Sequence, residues 1–175
     1  MSQREGTFLR NFIFGVEDSL VSTVGLLSGI AVAGVEAKTI LLTGTVLIFV
    51  EAISMAAGSF LSEASAEEYE TGRSATRKSI WGGVVMFVSY FVAGFIPLFP
   101  YIVTEGMPAL IFSITLSVVT LFGLGVIGGL VAKVNIVGSA VRMATIGGVA
   151  IAVGVMVGML VGYAAQPFII PSLWG

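Results

Sequence analysis

Five long stretches of the chain are almost entirely apolar, and short polar clusters separate them. They cover about residues 12–34, 39–62, 80–104, 108–132 and 143–166. A helix that crosses a hydrocarbon core of about 30 Å needs about 20 predominantly apolar residues, and each stretch has that length. The pattern predicts an all-α membrane protein: five transmembrane helices in a single membrane domain over residues 1–175. The polar joints are Met1–Asn11, Val35–Lys38, a cytoplasmic connection over 63–79, Glu105–Pro108 and Lys133–Arg142. In the third stretch, GFIPLFPYI places Pro97 and Pro100 where the helix must kink or stop, because proline lacks the donor N–H and crowds the preceding turn.

The last three stretches are free of charge, whereas the first two hold Glu17, Asp18 and Glu51. A charge at the centre of a bilayer costs roughly 2.5–3.5 kcal/mol on insertion scales, so an acid at that depth is a functional-site candidate by default. At 100° per residue, Asn11, Asp18, Ser22, Gly25 and Gly29 form a narrow stripe on the first helix. Such a stripe fits a pathway lining, and it equally fits a tight helix contact. Glu17 points away from it, toward the headgroups. On the second helix Gly44, Leu47, Glu51, Met55, Gly58 and Ser62 share a face. GxxxG spacings at Gly25/Gly29 and Gly125/Gly129, and the series Gly154, Gly158, Gly162, predict close helix approach within one subunit or between two.

Composition narrows the chemistry. The chain is 57% hydrophobic and 10% charged, far below the charge content of a soluble domain. A net charge of −2 and the lack of a basic, aromatic-interleaved patch argue against nucleic acid as a partner. The first stretch is too long and too acidic for a cleaved signal peptide. Cysteine and histidine are absent, which removes thiolates, the commonest metal ligand and the usual proton shuttle. No phosphate loop or nucleophile motif is present, so an enzyme is not expected, and no resident cofactor is implied. Arg4, Arg10, Arg73, Arg77, Lys78, Lys133 and Arg142 fall on the N-terminal side of the predicted helices, and only Lys38 on the other. The positive-inside rule then puts the N-terminus in the cytoplasm and the C-terminus outside or in a lumen. Trp81 and Trp174 fall near opposite interfaces.

A carboxylate at Glu51 and a thioether at Met55, one turn apart, suit a borderline divalent cation. Metal ligation needs deprotonated carboxylates, so protons and cations would compete at Asp18 and Glu51. That competition is the minimum requirement for proton-coupled exchange. Glu63, Glu67 and Glu70 recur at i, i+4 and i+7 and share a face if the second helix runs on into the cytoplasm. They are candidates for collecting cations at the cytoplasmic mouth, and a solvated face paired with Arg73 and Arg77 is the plainer alternative.

FGVEDSLVSTVGLLSGIA in the first stretch resembles the signature of the vacuolar iron transporter (VIT) family, as does EAISMAAGSFLS, running on into SEASAEEYE, in the second. GFIPLFPYI and the glycine-rich last stretch are similar as well, so the resemblance covers nearly the whole chain. It implies a five-helix homodimer that moves Fe²⁺, and often Mn²⁺, out of the cytoplasm in exchange for protons. It also implies a pathway at the dimer interface, lined by the first two helices of each subunit. Asp18 matches the family's acid in the first motif and Met55 its methionine in the second, and Ser22, Gly25 and Gly29 would face the two-fold axis. The sequence departs from the family in three ways. Asn11 stands where many members have an acid. The second-span acid usually falls at about Leu47, whereas here it is Glu51, one turn on. Only 63–79 replaces the large cytoplasmic metal-binding domain of longer members.

The expectation is therefore a metal/proton antiporter in the plasma membrane of a prokaryote or a vacuole-like organelle of a eukaryote. Asp18, Glu51 and Met55 would bind the ion, and Asn11, Ser22, Gly25 and Gly29 would line its path. Its partners are the ions, the bilayer and a second copy. The rivals are a transporter of a different cation or small substrate, and a non-transporting membrane subunit that packs against a partner.

Overall fold

The computed structural model describes residues 3–72 and 77–165, with side chains for 6–72 and 77–164. The side chain of Arg4, Arg73, Trp174 and the end of the fifth expected stretch at residue 166 lie outside the described residues. Six helices follow one another: α1 (Gln3–Val32), α2 (Ala37–Thr71), α3 (Arg77–Leu98), α4 (Pro100–Val103), α5 (Gly106–Ala132) and α6 (Ile136–Ala165). Among the described residues there is no strand. Five segments are long and apolar enough to cross a membrane: Gly6–Val32, Ala37–Thr71, Arg77–Val103, Gly106–Ala132 and Ile136–Ala164.

Local chemistry sets the joints. The segment that starts at Glu63 is the last part of α2, since Ala and Glu extend a helix readily, and α2 stops only at Gly72. There φ is 65° and the Gly72 N–H donates to the Glu68 carbonyl at 2.8 Å. This left-handed cap favours glycine. Pro97 is accommodated inside α3, and the helix breaks one residue before Pro100, at Phe99. Ser113 of α5 donates to the Pro97 carbonyl at 2.6 Å, supplying a bond at the disturbed backbone. The Lys133–Arg142 joint proves much shorter than its polarity suggests. Asn135 accepts a hydrogen bond from the Gly138 N–H at 3.0 Å and starts α6 at Ile136, so Arg142 belongs to the helix.

α1 is the hub. It packs most extensively on α3 and α6, and also meets α5 and α2. α2 rests mainly on α3, and α5 on α6. Leu27, Ile40, Ile48, Leu98, Tyr101 and Ala109 form one buried apolar cluster, and Leu20, Ala93 and Leu121 another. The opposite face of α2 is left open: Leu42, Val46, Phe49, Val50 and Ile53 are all exposed.

Candidate functional site

α1 and α3 rise together while α2 descends, so residues far apart in sequence meet at successive levels along one three-helix contact. Deepest is the acid pair. Asp18 of α1 and Glu51 of α2 are each half-buried and repel one another electrostatically, and both act on the phenol of Tyr90 in α3. Tyr90 is fully buried. Its hydroxyl and that of Ser22 share a 2.7 Å hydrogen bond, and Ser19 donates to the Tyr90 carbonyl at 2.6 Å. These bonds fix α3 against α1 beside the acids.

One level toward the N-terminal end, a cavity of about 620 Å³ is lined by Met55, Met86, Asn11 and Ser59, among others. Gly15 of α1 admits α3 here: a Cβ on it would clash with the Ser89 hydroxyl and crowd Met86 Sδ at 3.2 Å.

The next level is a polar knot. The buried Asn11 amide donates to Ser59 Oγ at 3.0 Å and to Glu63 Oε1 at 2.7 Å. Gly82 of α3 leaves the room for it, since a Cβ there would stand 2.5 Å from Glu63 Oε2 and 2.9 Å from Asn11 Nδ2. Arg10 reaches Glu63 Oε1 at 3.4 Å from a largely exposed position, a weak and solvent-screened pair.

Beyond the knot, a second cavity of about 600 Å³ is lined by Glu63, Glu67 and Glu70 together with Arg10 and Lys78. Ser79 donates to Glu67 Oε2 at 3.0 Å. The three glutamates thus share one opening with cations among them. Arg77, named as a partner for their solvated face, is exposed at the start of α3. Among the described residues, no group of three or more carboxylates is close enough to hold a metal ion.

The predicted stripe on α1 meets different neighbours at different heights. Asn11 faces α2 and α3, and Ser22 faces Tyr90. Gly25 and Gly29 are buried against α6, where added Cβ atoms would stand 3.3 Å from the Ala150 carbonyl oxygen and 2.6 Å from that of Gly154. Gly154 and Gly158 in turn meet the backbone of Gly25 and Gly29. The glycine series of α1 and α6 therefore pack on each other within one subunit, and Ser22, Gly25 and Gly29 also line an apolar groove of about 600 Å³ formed by the two helices. Glu17 stands off this stripe, toward α6. It is half-buried, attracted by Arg142 of α6 and repelled by Asp18.

Sequence reasoning passed over Met86 and Tyr90 because the third stretch carries no charge. The helical projection that served for α1 would have found them: Ser79, Gly82, Met86 and Tyr90 fall within about 80° on α3.

The VIT family model matches residues 9–81 and again 70–159, together spanning most of the chain and all the levels described. The chain belongs to the VIT family. The two matches meet at the α2–α3 junction, where longer VIT members carry their cytoplasmic domain, and this VIT protein is a short form without it. No curated protein matches the chain. VIT membership and five membrane-length helices make it an integral membrane protein of a metal-ion transporter family.

Proposed function

We propose that this protein carries a divalent transition metal, Fe²⁺ or Mn²⁺, out of the cytoplasm in exchange for protons. The observation that supports the reading most is the meeting of Asp18, Glu51 and Tyr90 on three different membrane helices. Two facing carboxylates without a basic partner of their own need either protons or a cation to neutralise them. Loading one expels the other, because ligation requires the deprotonated form. Met55, one turn from Glu51, is the soft ligand, and Glu63, Glu67 and Glu70 gather ions at the mouth. The N-terminus and this mouth face the cytoplasm, following the distribution of Lys and Arg. The protein would act as a homodimer, with the pathway completed by the first two helices of a second copy, as its likeness to the family implies. The ion is cargo, and no resident cofactor is needed.

Fe²⁺ and Mn²⁺ flux into proteoliposomes under an imposed pH gradient tests the reading. The parent is expected to move metal against the proton gradient, while Asp18→Asn and Glu51→Gln stay folded and inactive. Flux indifferent to the gradient rules out antiport. Activity retained in Glu51→Gln removes that residue from the site.

A further inference from the structure

We infer that Met86 is a metal ligand, and that with Met55 it forms a two-thioether cation site between α1, α2 and α3 of a single subunit. The site stands one level before the Asp18–Glu51 pair. The ligand's identity rests on the metal-transport reading; the geometry does not.

Three observations carry it. Met55 and Met86 line the same cavity, together with Asn11 and Ser59; Arg10 also lines it, with its charge directed to Glu63. Met86 is buried at the α1–α3 crossing, and its sulfur lies where Gly15 has no side chain, so α1 is shaped to take it. Lastly, a carboxylate with one unpartnered oxygen stands next to the cavity. The Glu63 side chain is only 10% exposed, and its Oε2 is buried without a hydrogen-bond partner. Its Oε1 is tied to the Asn11 amide at 2.7 Å and, more weakly, to Arg10 at 3.4 Å. A buried, half-satisfied carboxylate is costly by itself. A cation in the adjoining cavity offsets that cost without direct contact.

The donor set is distinctive. Two thioethers with amide and hydroxyl oxygens favour softer or borderline ions such as Fe²⁺ and Co²⁺ over hard Mn²⁺ and Mg²⁺. A carboxylate pair alone favours the hard ions. The soft cavity would thus act as a filter ahead of the acids.

The absence of cysteine makes the test clean, because metal–sulfur scattering can come only from methionine. The full-length protein in detergent is loaded with Co²⁺, or with Fe²⁺ under anaerobic conditions, and the bound metal is examined by X-ray absorption. The parent is expected to show a sulfur shell that is halved in Met86→Leu and in Met55→Leu and lost in the double variant. Leucine conserves volume, so both singles should fold; a melting curve checks this. Met86→Gln keeps the length but exchanges sulfur for oxygen, and is expected to shift binding toward Mn²⁺. A sulfur shell untouched by Met86→Leu, or a shell of oxygen alone, overturns the inference while leaving transport by Asp18 and Glu51 intact. A sulfur shell in a protein that shows no flux upholds the site and sinks the transport reading. Failure of the parent to bind either metal overturns both.

Discussion

The two sides of α1 are built on opposite plans. Toward α6 it offers Gly25 and Gly29, and the two backbones touch with almost nothing between them. Toward α2 and α3, glycine has a different use. Gly15 and Gly82 clear space that Met86, Asn11 and Glu63 then fill. On one side a missing Cβ lets helices close, and on the other it lets polar or soft side chains enter. The same residue type yields a weld and a cavity lining, depending on what the opposite helix brings.

The weld should be the more fragile under substitution. Gly154→Val places branched carbons into the backbone of Gly25, and overpacking of this kind costs typically 1–3 kcal/mol, occasionally more. The expected outcome is little folded protein, read as loss of a monodisperse peak in size-exclusion chromatography. An equal loss from the same change at the exposed Gly148 would show that the contact is not special. On the lining side, Gly82→Ala should preserve the bundle but expel Glu63 and Asn11 from their knot. Transport is expected to drop severalfold while the melting temperature shifts by a few degrees. Tyr90→Phe deletes the bond to Ser22, worth about 0.5–1.5 kcal/mol. It should lower stability by that amount in a denaturant titration and slow flux less than Asp18→Asn does. The smallest effect belongs to Arg10→Ala. Its exposed pair with Glu63 contributes about 0–1 kcal/mol, so stability should barely change, and any effect on flux should fade at high salt.

Much of this division could be read from periodicity and charge. Asp18 and Glu51 stood out because carboxylates are rare in apolar helices, and the five-helix plan followed from length alone. What could not be read was which neighbour each face would meet. The stripe from Asn11 to Gly29 is continuous on α1, yet its lower part meets α2 and α3 and its upper part α6, because the helices cross. Helix crossing is a property of pairs, and one helix's pattern does not contain it. Arg142 shows the same limit at a boundary. It looked like part of a loop until Asn135 capped α6 ahead of it.

α2 has one further consequence. Its 35 residues make an unbroken rod of about 52 Å, against a hydrocarbon core of about 30 Å. The rod leans chiefly on α3 and carries Glu67 and Glu70 toward its tip. Crossing the core takes about 30 Å of the rod, which leaves roughly 20 Å outside it. A tilt of a few degrees about Glu51 grows with distance along the rod and is larger at Glu67 and Glu70 than anywhere nearer the pivot.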